Sequence, residues 1–241
     1  MNSKFVFSSM REISKDIKLS ASLKKQLLDE SLNSKKSSGM GYEKTIQGLL
    51  FNKLLMGSVA NNYIVQIERK LSGPKGLKIA DLVVKNECQL FSNNSNETGL
   101  IIELGHQHLH QKTDLYNKFS DDFIKWNGCD VLHIQIVTAI SKVVTGSDID
   151  LTSHEIELDA KSSDRLEAYW DRKEDGLLGG LCDRHKEFNM KTHFISDGDG
   201  SSDKGPAVTC LFKLMNESLR LKIWFIITEN KGREVQDLPF P

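Results

Sequence analysis

No run of apolar residues in this chain approaches the length of a membrane span, and Met1 to Met10 is too polar for a secretory signal. Neither a spanning segment nor export is therefore expected. Cysteine is scarce and scattered. Cys88, Cys129, Cys182 and Cys210 show no metal-type spacing and read as thiols of a reducing cytoplasm. The chain also has no internal repeats. What is present is the composition of an ordinary soluble globular protein. The 241 residues are 39% hydrophobic and 27% charged, with a mean hydropathy of −0.37. That length is enough for one large domain with a substantial core. The net charge of −1 conceals an asymmetry. Met1 to Lys78 holds 14 Lys and Arg against 6 Asp and Glu, a net of +8, which leaves −9 for the remainder. A basic half favours contact with a polyanion such as nucleic acid. A solvated helical surface is the plainer reading of the same charges.

The most informative stretch runs from Lys78 to His110. It holds two strand-like pieces, Lys78 to Val84 and Leu100 to His106, separated by the Asn-, Ser- and Gly-rich segment Asn86 to Gly99. Each piece is aliphatic and carries one carboxylate, Asp81 in the first and Glu103 in the second. A carboxylate in an apolar strand is costly unless something pairs with it, and local rules fail most often at functional positions. Period-two alternation puts Glu103 on a face with Ile101 and Gly105, and Ile102, Leu104 and His106 on the other. Antiparallel pairing would bring Asp81 and Glu103 side by side. Two oxygen ligands so placed suit Mg²⁺ (or Mn²⁺), which keeps several waters and takes one or two carboxylates plus a substrate phosphate. Such an ion activates water and stabilises the leaving oxygen in phosphodiester hydrolysis. If one or both carboxylates are instead solvated edge-strand residues, no such site follows.

The rest of the chain frames this stretch. Ser8 to Leu32 reads as an amphipathic helix, Asn33 to Gly41 as a breaker loop, and Tyr42 to Val59 as a second helix with a stripe of Ile46, Leu50 and Leu54. Glu43 and Gln47 lie on or beside that stripe. Tyr63 to Leu71 alternates like a strand, and Gly73-Pro74-Lys75-Gly76 is a tight turn. His106, His108 and His110 recur at every second position, but they lack a clean metal spacing and read as surface or phosphate-facing residues. Gln111 to Trp126 is a helix with Leu115, Phe119, Phe123 and Trp126 as its stripe. Lys112 falls near the middle of that stripe, whereas Lys118 and Lys125 fall well away from it. Asp130 to Ile140 is a buried strand with Leu132, Ile134 and Ile136 on one face and His133 and Gln135 on the other. The strand-helix-strand order around Lys112 implies a parallel crossover. The segment Asp197 to Gly205 begins like a calcium loop, but Ser202 and Val208 stand at its required Gly and Glu, so it reads as a turn. Leu221 to Thr228 is a last strand.

At Asp81 and Glu103 the sequence resembles the PD-(D/E)xK nuclease superfamily, whose signature is an Asp on one strand and a (D/E)-x-K on the next. Ala80 replaces the frequent Pro, and Gly105 replaces the catalytic Lys. The resemblance covers roughly Tyr42 to Thr138 with a late strand. It implies an α/β restriction-endonuclease-like fold: a mixed central sheet flanked by helices, with a C-terminal insertion. On that plan a single domain spans 1–241, with N-terminal helices at 1–60, the core sheet and crossover helix at 61–140 and 218–230, and the insertion at 141–217. It implies a Mg²⁺-dependent endonuclease acting on DNA, with Asp81, Glu103 and Glu43 at the metal. Lys112 is the expected replacement for the absent motif Lys, because a compact ammonium reaches phosphate or water from a displaced position. A homodimer, no membrane partner and a cytoplasmic location complete the expectation. Two other readings stay open at this point. One is a pseudo-nuclease that only binds nucleic acid or protein, for which Gly105 argues. The other is an unrelated α/β enzyme.

Overall fold

A computed structural model describes residues 3–33, 40–73, 76–86, 99–108, 124–143, 154–155, 191–195, 205–214 and 217–231. Three helices precede one mixed sheet: α1 Lys4–Leu19, α2 Ala21–Asn33, α3 Met40–Asn61, then β1 Tyr63–Gly73, β2 Gly76–Asn86, β3 Leu100–His108, β4 Asp130–Val143, β5 His154–Glu155, β6 Lys191–Ile195, β7 Val208–Leu214 and β8 Glu217–Lys231.

The single helix expected over Ser8 to Leu32 is two. Ser20 divides them: its backbone is extended, and its Oγ accepts the Leu23 amide at 3.2 Å, capping α2. Val6, Met10, Ile13 and Ile17 recur every three or four residues in α1 and are fully buried. In α3, Tyr42, Ile46, Leu50 and Leu54 do the same. These rows lie on the sheet face that presents Leu82 and Val84 of β2, Ile102 and Leu104 of β3, Leu132, Ile134 and Ile136 of β4, and Leu221, Ile223 and Phe225 of β8. At the end of α3 the Tyr63 hydroxyl donates to the Leu54 carbonyl at 2.9 Å. A Cβ on Gly57 would stand 2.8 Å from that hydroxyl, so the close approach requires glycine there.

Among the described residues the sheet has eight strands in the order β1-β2-β3-β4-β8-β7-β5, with β6 also pairing with β8. β1, β2 and β3 are antiparallel neighbours, and β3 and β4 are parallel, as the expected crossover requires. β8 is longer than the expected Leu221 to Thr228. It pairs with β4 from Asp130↔Lys231 to Val143↔Ser218. On its other side it takes β7 and β6 end to end. The stretch expected as an insertion, 141–217, thus adds strands to the same sheet. Among the described residues no helix is long and apolar enough to cross a membrane.

Candidate functional site

Asp81 sits where the sheet opens. The β2–β3 ladder runs Val84↔Leu100, Val83↔Ile101, Leu82↔Ile102 and stops. One further step would set Asp81 against Glu103. On the other side the β1–β2 ladder passes from Ile67↔Leu82 to Arg69↔Ala80 and omits Glu68 opposite Asp81. Glu68 has φ +49°, an uncommon conformation for a residue with a Cβ. Alternation breaks here as well: Leu82 and Val84 belong to the helix-side core, whereas Ala80 joins Val83 in the cluster on the opposite face.

The groups released from the ladder find side-chain partners. Asp81 Oδ2 accepts the Leu104 amide at 2.8 Å, and Gln47 Nε2 donates to the Asp81 carbonyl at 2.9 Å. Gln47 is held in turn by Lys44 Nζ, which donates to its Oε1 at 3.0 Å and is also paired with Glu68. The Lys44 pKa is raised, first by the hydrogen bond it donates to Glu68, with partial burial opposing it and the charges of Glu68, Asp81 and Glu43 adding to it. Glu43, in the first turn of α3, therefore shares one electrostatic neighbourhood with Asp81 and Glu68.

Glu103 is buried, at 3% exposure, on the face away from the helices. Its Oε1 accepts the Trp126 indole N–H and the Lys125 ammonium, the latter at 2.9 Å. Lys125 also lies 5.1 Å from the Trp126 ring centroid, a cation–π contact. Lys112 lies outside the described residues, as do most of the Gln111 to Trp126 helix and His110. Lys125, expected well away from the apolar stripe of that helix, is the lysine that reaches Glu103. Only residues 124–125 of that stretch are described as helical, and a turn follows at Trp126. An ideal helical wheel therefore misplaces a side chain at the very end of the helix. The signal available in the sequence was the adjacency of Lys125 to Trp126: a buried indole needs an acceptor for its N–H, and that acceptor draws in the neighbouring ammonium.

From Glu103 a polar row crosses the sheet. Glu103 pairs with His133, and His133 with Thr228. His133 and Thr228 are buried. One step along, Gly105 pairs with Gln135, which is fully buried. Among the described residues, neither Nε2 nor Oε1 of Gln135 has a hydrogen-bond partner. The row separates an apolar patch at Val83, Ile101, Trp126 and Val131 from another at Val137, Ala139, Trp224 and Ile226. His106, as its parity required, turns to the helix side. It meets the Thr138 hydroxyl at 2.9 Å and stacks on Tyr42 at 4.5 Å.

Asp81 and Glu103 offer carboxylate oxygens. Among the described residues no three or more His, Cys, Asp and Glu converge to hold an ion. Carboxylate oxygens of this kind would suit an ion that keeps most of its water shell, such as Mg²⁺, rather than a structural zinc site. Comparison with family models, curated proteins and solved structures finds no match to this chain.

Proposed function

We propose that the chain is a metal-dependent nuclease of restriction-endonuclease type that hydrolyses phosphodiester bonds in DNA. The observation that carries this reading is the opening at Asp81. Two neighbouring strands part at the step that would pair Asp81 with Glu103, and a lysine sits on Glu103. The order of three-stranded antiparallel meander, crossover and parallel β4 agrees with it. In this reading Asp81 and Glu103 supply carboxylate oxygens to Mg²⁺ or Mn²⁺, with Glu43 assisting from α3. When bound there, such an ion would supply an activated water and charge stabilisation at the leaving oxygen. The Leu104 amide fixes the rotamer of Asp81, and Gln47 fixes its backbone. Lys125 carries three donors and shares them between Glu103 and a phosphate oxygen. We assign it the role that the sequence alone suggested for Lys112, because Lys125 has a contact that supports the role.

The test is nicking of supercoiled plasmid in Mg²⁺ or Mn²⁺, with Asp81→Asn and Glu103→Gln as controls. Nicking by the native chain that both variants lose supports the reading. Activity equal to that of the variants sinks it. A second reading, a nucleic-acid-binding pseudo-nuclease, is favoured by Gly105 in the motif and by the commitment of Glu103 Oε1 to Trp126 and Lys125. It predicts duplex binding with no nicking in either metal.

A further inference from the structure

The β1–β2 hairpin leaves the sheet beyond Asp81. β2 pairs with β1 from Tyr63↔Asn86 to Gly73↔Gly76 with only Asp81 skipped, but with β3 only at residues 82–84. From Gly76 to Ala80 the hairpin is therefore a two-stranded ribbon. One of its faces is tucked in: Leu71 and Ala80 are fully buried and join the cluster around Trp126. The other face is open. Lys70 pairs with Ile79 and Ser72 with Leu77, and these four residues share that face. All four are exposed, Leu77 at 65% and Ile79 at 50%. Ile67, at 45%, extends the apolar edge toward Glu68.

The charge of the ribbon is one-sided. Arg69 to Lys78 contains four basic residues and no acidic one. An exposed edge ribbon is normally protected by charge, whereas this one combines cations with two projecting aliphatic side chains. Such a surface recognises a polyanion that also has apolar edges. Duplex DNA offers both: phosphates for the lysines, and sugar and thymine methyl surface for the aliphatic chains. A two-stranded ribbon fits a major groove about 12 Å wide. Continuity with the site decides among polyanions. The ribbon springs from the opening that contains Asp81, so a duplex lying along it runs on to the two carboxylates.

We infer that the β1–β2 ribbon is a DNA-docking arm, with Lys70 on a phosphate and Leu77 and Ile79 against the groove. The partner class rests on the nuclease reading, but the test does not. Fluorescence anisotropy of the full chain with a labelled duplex, in EDTA so that nothing is cleaved, reads the arm directly. Lys70→Glu should weaken binding at least about tenfold and flatten the slope of log K against log[salt] by about one. Leu77→Ser with Ile79→Ser should weaken binding by a similar factor with the slope unchanged. Lys15→Glu with Lys25→Glu, exposed on α1 and α2, should leave the slope as it is. The inference is overturned if the arm variants bind like the native chain, or if the control pair is as damaging. It is also overturned if the native chain binds no duplex, or if the arm variants lose binding to phosphatidylserine vesicles while keeping the duplex. Duplex binding through the arm with no nicking in Mg²⁺ or Mn²⁺ would end the nuclease reading and leave the arm. Nicking that survives unchanged in arm variants with native affinity would end the arm and leave the nuclease.

Discussion

The face of the sheet under α1 and α3 and the face turned away from them are built from the same strands, alternate residues going to one or the other. On the helix side the buried strand positions are apolar almost throughout, with Thr138 the exception, and Thr138 is bonded to His106. On the opposite face two apolar patches flank Glu103, His133, Gln135 and Thr228, all buried. A uniformly apolar face specifies how the layers pack and makes no chemical demand. A polar row through a buried face costs stability, and it is retained in proteins mainly where chemistry or recognition needs it. The contrast therefore marks the polar row as the candidate site without reference to any motif.

The strongest way to break this contrast is at Lys125. Lys125→Ala should lower plasmid nicking by about 100-fold or more while duplex affinity changes little. Lys112→Ala should fall well short of that. If the two variants exchange these outcomes, the assignment moves back to Lys112. Next in size is the apolar face. Ile134 is fully buried in the helix-side core, and Ile134→Ala should cost about 2–5 kcal/mol in urea denaturation. A loss well below that range would mean the layers are loosely packed and the two faces less different than they look.

The neighbouring residue on the same strand should behave in the opposite way. Gln135→Leu replaces a buried amide that has no partner among the described residues. It should leave stability unchanged or raise it by roughly 1–3 kcal/mol, because the desolvation cost of the amide disappears. A clear loss would show that Gln135 is bonded after all. The smallest effect is expected at Lys85, fully buried on β2. Burial, and after it the nearby Arg69 charge, lower the Lys85 pKa from 10.5. Between that lowered value and 10.5 the unfolded chain binds more protons than the folded one, so stability rises with pH across that window. Lys85→Met should remove the rise. Parallel pH profiles for the two proteins would refute it.

Much of the strand plan was legible because alternation is a local signal. Ile102 and Leu104 facing away from Ile101, and Leu132, Ile134 and Ile136 facing away from Gln135, follow from a period of two and hold in the structure. The Ser20 break was missed because its cap is one hydroxyl within an otherwise continuous helical pattern. The surroundings of the two carboxylates were legible only in part. Asp81 and Glu103 stand out as charges in aliphatic runs, and Glu43 and Gln47 by their helix stripe. Nothing local announces that Gln47 reaches the Asp81 carbonyl, 34 residues away in the chain, or that Trp126 and Lys125 converge on Glu103. Those contacts depend on how α3 and the crossover dock, which is a property of the whole sheet.

The missing step between Glu68 and Asp81 has a consequence for motion. Backbone hydrogen bonds make a hairpin open as one cooperative unit, and a skipped rung divides that unit. Beyond the gap the ribbon shares no ladder with β3, while on the near side Val83 and Val84 are pinned between two neighbours. Amide protons of Leu71, Leu77 and Ile79 should therefore exchange through a local opening that leaves those of Val83 and Ile101 protected. A segment that flexes about a fixed root in this way can change its pitch while its anchoring end keeps the register of β1 through β4.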